Sequence, residues 1–384
     1  MNNLFFSNRQ NREPFVFAMA AFWASLPALL LVMAAVWWST SAQATSDVTV
    51  ELLTEPAAGS IIPDATLVEN RLRVLDESGQ PIPGAKVVLH VDTPLGSRFL
   101  TTDFPWVENT SWLNMEAVAT DGELEWKAIY PIRGTYTFET LVTLPDGTTV
   151  ENALPLSINE SPNELFNLVV LLAILLAFGI LSGFVIGRGQ RAAITLLIVG
   201  LLSGMPVMAF AHGGDEVEYN YGEPLVVTQT EGDLQATLTI AEGGGRVGAL
   251  TTLNVELADS NGTPVDGNVT VTAWHIEDDL PVYNFYLPTE EGATAFKVQF
   301  FDGAEHDVRV EATTPDGQTI ALSTPIEVEG FPPPMGTMIR SLLFLLSMVF
   351  VGLLVGFWFG ARPGQPTGRS RPAQGFASLA TRQP

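Results

Sequence analysis

The sequence has no cysteine, which excludes disulfide staples, thiolate zinc sites, iron–sulfur clusters and cysteine nucleophiles together. It is poor in charge, 16% overall, and poorest in positive charge: 18 Lys and Arg stand against 42 Asp and Glu, a formal charge of −24. A surface of that sign repels an extended phosphate backbone, so nucleic acid is excluded as a partner. Histidine is also scarce. His90, His212, His275 and His306 are scattered, without the short spacings of a closed zinc site. No phosphate-binding P-loop, His-Glu-x-x-His or exported Gly-x-Ser-x-Gly is present. A Gly-x-Gly-x-x-Gly string does run from Gly243 to Gly248, but a dinucleotide fingerprint opens a helix and a strand follows here, so it reads as a flexible hairpin connection. With no nucleophile or base pair to name, the expectation is a protein that is not an enzyme and needs no cofactor.

What the sequence has in plenty is apolar residues, 47% of the chain. Crossing about 30 Å of hydrocarbon takes roughly 20 residues at 1.5 Å each. Three uncharged stretches reach that length: Leu165–Ile186, Ala192–Ala211 and Ser341–Gly360. A fourth, Phe15–Trp38, follows Arg9 and Arg12 and leads to a small-x-small end at Ala42-Gln43-Ala44, so residues 1–44 read as a cleavable signal peptide or an uncleaved anchor. Arginine then sets the orientation, because basic residues favour the cytoplasmic side of short loops. The loop 187–191 holds Arg188 and Arg191, and the tail 361–384 holds Arg362, Arg369, Arg371 and Arg382, with no acid in either. Segments 45–164 and 212–336 hold 19 and 22 acids against six and three basic residues.

The expected order is therefore an N-terminal signal or anchor, an exported domain (45–164), a membrane helix (165–186), a cytoplasmic loop (187–191), a second helix (192–211), a second exported domain (212–336), a last helix (337–360) and a disordered basic tail (361–384). This places the chain in a bacterial plasma membrane with both large domains outside, and Arg340 as an interfacial anchor at the outer end of the last helix. Glycines at four-residue spacing, Gly179, Gly183 and Gly187, Gly200 and Gly204, and Gly352, Gly356 and Gly360, lie on single helical faces and predict close helix packing or homo-oligomerisation.

Both exported segments show period-two runs, such as Val48-Thr49-Val50-Glu51-Leu52 and Val269-Thr270-Val271-Thr272-Ala273, separated by Gly, Pro and Asp turns. Each is about as long as an immunoglobulin-like sandwich, so the fold class is membrane-anchored all-β: two immunoglobulin-like β-sandwiches with three or four transmembrane helices. Gly79-Gln80-Pro81-Ile82-Pro83-Gly84-Ala85-Lys86-Val87 matches Gly262-Thr263-Pro264-Val265-Asp266-Gly267-Asn268-Val269, and Pro145-Asp146-Gly147 matches Pro315-Asp316-Gly317 in the same order. Two ordered landmarks indicate one fold used twice. The motif Gly-x-Pro-(Ile/Val)-x-Gly, followed by Val after two residues in the first copy and after one in the second, resembles bacterial immunoglobulin-like and carboxypeptidase-regulatory-like modules, and the YtkA-like and FixH-like exported domains, some of which are linked to copper handling. The resemblance covers about half of each domain and implies fold rather than activity.

The aromatic residues read first as core, with one buried tryptophan per sandwich. The stretch Thr101–Met115, carrying Phe104, Trp106 and Trp112, breaks strand alternation and reads alternatively as a partner-binding loop. His275 beside Glu277, Asp278 and Asp279, and His306 between Glu305 and Asp307, read as solvated hairpin turns. Ala209-Phe210-Ala211 is a second signal-peptidase-like site, and cleavage there would free His212 as an amino terminus able to chelate copper, with help from His306. At His212 alone this resembles CopC-type exported copper-binding proteins. Two functions follow: a membrane-anchored envelope protein presenting two domains to a protein partner or to further copies of itself, or a copper-handling accessory protein.

Overall fold

The computed structural model describes residues 48–97, 99–188, 222–332 and 334–361, all within one compact unit, Val48–Pro384. The N-terminal segment, the helix expected at 192–211 with Gly200 and Gly204, His212, and the tail beyond Ala361 lie outside the described residues.

The first half is seven strands: β1 (Val48–Glu55), β2 (Leu67–Asp76), β3 (Ala85–Asp92), β4 (Ser111–Ala119), β5 (Glu123–Ile129), β6 (Gly134–Thr143) and β7 (Thr149–Ile158). Their alternation is regular, as in β3, where Ala85, Val87, Leu89 and Val91 are buried and the residues between them are half-buried. Within this half β1-β2-β5 faces β7-β6-β3-β4. That is the A-B-E against G-F-C order of an immunoglobulin-like sandwich, with the remaining strand, β4, beside β3. Tyr136, near the start of β6, accepts the Ile132 N–H at 3.1 Å and donates to the Ile132 carbonyl at 2.9 Å, the tyrosine corner of such folds.

The second half repeats the plan with one added edge strand: β8 (Leu225–Glu231), β9 (Leu234–Ile240), β10 (Leu250–Asp259), β11 (Asn268–His275), β12 (Leu280–Pro288), β13 (Ala293–Gln299), β14 (Glu305–Thr313) and β15 (Thr319–Glu327). The repeated turns match atom for atom. Asp76 Oδ1 accepts the N–H groups of Ser78 and Gln80, and Asp259 Oδ1 accepts those of Asn261 and Thr263, all at 2.8 to 2.9 Å. Gly79 and Gly262 supply the left-handed residue that each turn requires, at φ 77 and 79°.

The two sandwiches are not separate beads. β5 of the first pairs antiparallel with β12 of the second, and β4 of the first pairs with β13 of the second, so both sheets run unbroken through both halves. Because β4 and β12, and β5 and β13, occupy equivalent places in the repeat, the two seams are copies of one another. Trp126, Lys127 and Ala128 oppose Phe285, Asn284 and Tyr283, while Phe296, Lys297 and Val298 oppose Met115, Asn114 and Leu113. In each seam the apolar residues turn inward and the Lys–Asn pair turns outward, so a single hydrophobic core runs from Val50 to Val328. An isologous joint of this kind removes four strand edges that would otherwise be left open.

The tryptophan expectation needs correction. The first half buries both Trp112 and Trp126, and the second buries none. Trp274 is half-buried, its ring facing Arg309 and its Nε1 donating to Asp279 at 3.1 Å. Tyr283, Phe285, Phe296 and Phe300 fill the second core instead.

Two long apolar helices follow the sandwiches, α1 (Pro162–Gly187) after β7 and α2 (Met335–Gly360) after β15. These are the two helices among the described residues long and apolar enough to cross a membrane. They pack in parallel, since Gly179 meets Val349 and Gly352, Gly183 meets Leu353 and Phe357, and Gly187 meets Phe357 and Ala361. Arg188 and Ala361 therefore share the end remote from the sandwiches.

Candidate functional site

Strand direction places the helix-facing loops of both halves together. The ends of β3 and β7 and the starts of β4 and β6 lie at the α1 end of the first half, and the loops after β9, β11, β13 and β15 lie at the α2 end of the second. Chemistry-bearing side chains collect at this base.

The longest base loop, between β3 and β4, contains two of the aromatic residues singled out in sequence, Phe104 and Trp106, and Trp112 follows it on β4. Trp112 is a core residue, its ring 4.9 Å from Tyr130 and 5.8 Å from Tyr136. Phe104 and Trp106 are half-buried against the second sandwich. The Phe104 ring meets Phe301 edge-on at 5.2 Å, and Trp106 Nε1 donates to the Phe301 carbonyl at 3.4 Å. The glycine string of the second half forms the other wall: a Cβ at Gly248 would press on the Trp106 carbonyl, and one at Gly244 would overlap that of Glu327. Gly243–Gly248 is thus a hairpin connection, as expected, but a packed one, tied by Val247 N–H to Glu329 O at 3.1 Å and Glu329 N–H to Gly245 O at 3.1 Å. The partner of Phe104 and Trp106 is the other half of the same chain.

Beside this plug lies the histidine pair. His275 and His306 are not solvated turn residues but are 3% and 1% exposed, with ring centroids 4.9 Å apart in a T. The sequence misleads here because the flanking acids point outward while alternation drives both rings inward. His306 takes the place of Tyr136 in the repeat and donates from Nδ1 to the Ala304 carbonyl at 3.0 Å. Burial holds its imidazole down to about 4, against the help of that bond and with the added repulsion of His275. His275 Nδ1 accepts the Asp278 N–H at 3.1 Å, which puts the proton of the neutral ring on Nε2. That Nε2 is buried without a hydrogen bond, 3.5 Å from Asp302 Oδ2. Metal ligation through Nε2 would require that proton, and hence the Asp278 bond, to be displaced. Among the described residues no three His, Asp or Glu side chains converge as a metal site. Of the two proposed copper ligands, His212 is outside the described residues and His306 pairs with His275.

An acidic pocket of about 150 Å3 completes the base, lined by Asp64, Asp103, Glu160, Glu164, Arg133 and apolar neighbours. Arg133 ion-pairs with Glu160. Asp64 sits in a left-handed turn at φ 59°. Desolvation by the surrounding loops pushes its carboxyl up to about 7, reinforced by repulsion from Asp302, Asp278, Asp103 and Glu164. The residue surface as a whole remains exposed, so solvent screens the consequence for stability. Sequence reasoning missed this cluster, because Asp64, Asp103, Glu160 and Glu164 come from the β1–β2 loop, the β3–β4 loop, the β7–α1 junction and the first turn of α1, with no common spacing. At the opposite side of one seam, β4 and β13 diverge around a second polar cleft of about 290 Å3, with Lys86 bridging to Glu116 and, at 4.0 Å, to Glu290.

The helix pair is the most tightly specified element. A Cβ at Gly179, Gly183, Gly352, Gly356 or Gly360 would overlap a backbone oxygen of the facing helix. All six glycines of the two described sets face the partner helix, with close Cα approach supplying dispersion and Cα–H···O contacts.

No protein-family model matches the chain, and no curated protein matches it. Solved structures similar to it include the fibronectin(III)-like modules of Clostridium thermocellum CbhA (12% identity, 73% of this chain, 94% of that one, TM-score 0.18). Dimeric latent PorU from Porphyromonas gingivalis (11%, 74% and 34%, 0.23) and the Yersinia pseudotuberculosis adhesin InvE (10%, 74% and 61%, 0.19) are similar at the same level, the chain spanning about a third and three fifths of their lengths. TM-scores this low carry no argument about function, and the sandwich assignment stands on strand order.

Proposed function

We propose that this chain is a non-enzymatic, membrane-anchored envelope protein that presents its two fused immunoglobulin-like sandwiches, as one acidic body, on the extracytoplasmic face for binding or assembly with a protein partner. The observation that carries this reading is the parallel helix pair. Both apolar helices leave the same end of a body rich in Asp and Glu and end together at Arg188 and Ala361, next to Arg191 and Arg362 in sequence. Parallel spans put the acidic body on one side of a bilayer and the arginines on the other, the arrangement favoured by the positive-inside rule. A rigid body with continuous sheets also suits presentation, since a partner surface that crosses the seam requires no ordering on binding. The absence of any cysteine makes the test direct. Glu77→Cys and Ser260→Cys, at equivalent exposed turns of the two halves, are each expected to react with a membrane-impermeant maleimide in spheroplasts. Reaction only after lysis would sink the reading.

A further inference from the structure

The β3–β4 loop carries two large apolar side chains that the fold leaves uncovered: Leu95 is 79% and Phe99 62% exposed. They are not on a loose segment. Asn109 N–H bonds to the Pro94 carbonyl at 3.0 Å, and Glu108 accepts the Thr102 N–H and hydroxyl at 2.9 and 3.0 Å, so the loop base is pinned on both sides. The loop also touches α2 at a defined depth. Thr101 N–H donates to Ser341 Oγ at 3.3 Å, and the Phe99 ring lies 5.6 Å from that of Phe344. Ser341–Gly360 is twenty residues, about 30 Å of helix, the thickness of a hydrocarbon core. Phe344 is three residues past Ser341, about 4.5 Å beyond that boundary. A ring in contact with Phe344 is therefore at the level of the uppermost acyl carbons.

We infer that Leu95 and Phe99 insert into the outer leaflet, giving the first sandwich a lipid contact of its own beside the two helices. The occupant of this apolar tip is the bilayer, because the tip is continuous with the lipid-facing surface of α2 through Phe99 and Phe344. Aromatic and aliphatic side chains at this depth gain from burial, whereas in water they form an unfavourable exposed pair. The contact would fix the tilt of the acidic body on its helices, since one edge of the base is held down.

This inference rests on the membrane-spanning reading, and the test separates the two. Full-length protein with a single cysteine at Leu95→Cys, Leu171→Cys or Gly147→Cys, labelled with an environment-sensitive fluorophore, is reconstituted into phosphatidylcholine vesicles. Leu171 is an exposed residue within α1, and Gly147 is in the exposed β6–β7 turn remote from the helices. The expected result is blue-shifted emission at positions 95 and 171, quenched by a lipid-borne nitroxide and not by aqueous iodide, with the reverse at 147. A lipid-embedded probe at 171 with an iodide-quenched probe at 95 overturns the insertion and leaves the spans standing. An iodide-quenched probe at 171 overturns both. A probe at 95 shielded from both quenchers would mean that a second copy of the chain covers the tip, which also overturns it.

Discussion

At the residue scale, the base of the molecule holds two groups whose titration opposes one another. His306 is held down to about 4 when folded and titrates near 6.5 when unfolded. Between those values the unfolded chain carries more protons, so stability is lost as pH falls from 6.5 towards 4. Asp64 is raised to about 7 from 3.8, so here the folded chain carries more protons and stability falls as pH rises through that window. Thermal midpoints of the protein in detergent across pH 4 to 8 are expected to show both limbs. His306→Phe should flatten the acid limb, and Asp64→Asn should raise the midpoint at pH 8 and flatten the opposing slope. Superimposable profiles for wild type and either variant would contradict these assignments. Sequence made His306 visible as a histidine but not as a buried one. Its flanking acids suggest water, and only the equivalence with Tyr136, two residues into a paired strand, shows the ring turning into the core.

At the scale of elements, strands and apolar helices were legible because each rests on a local period. Two-residue alternation is enough to place Val87, Leu89 and Val91 on one face of β3, and four-residue glycine spacing is enough to place Gly179, Gly183 and Gly187 on one face of α1. What the spacing does not contain is the facing helix. The parallel contact of α1 with α2 depends on both sandwiches delivering their last strands to the same end. Gly356→Leu is expected to force the helices apart, because its side chain would enter the space held by the Ile180 carbonyl. The cost should be about 1 to 3 kcal/mol, as for overpacked sites generally, and should appear as a lowered thermal midpoint in detergent. Val351→Leu, at an exposed position of the same helix, should leave it unchanged. Equal effects of the two substitutions would mean that the glycine face is not the interface.

At the scale of the whole molecule, duplication was legible and fusion was not. The repeated turns at Asp76 and Asp259 announce two copies of one fold, but pairing of β5 with β12 and of β4 with β13 joins residues more than 150 positions apart and leaves no periodic mark. The strands concerned read as ordinary edge or central strands, and the Lys–Asn pairs in the seams carry no signal before the register is known. Continuity of the core has a mechanical consequence. Phe285→Ala, which empties a buried site opposite Trp126, should destabilise by about 3 to 5 kcal/mol. The loss should also be shared, with hydrogen exchange accelerating in β2 as well as in β11. Acceleration confined to the second sandwich would show that the halves unfold independently.

The same continuity requires both helices to leave one body in one direction, and this is open to a single direct measurement. Topology reporters fused after Gly187 and after Ala361, one active only in the cytoplasm and one only outside, are expected to report the cytoplasm at both positions. Reporters on opposite sides of the membrane, or both outside, would contradict a parallel pair carrying the acidic body on the outer face.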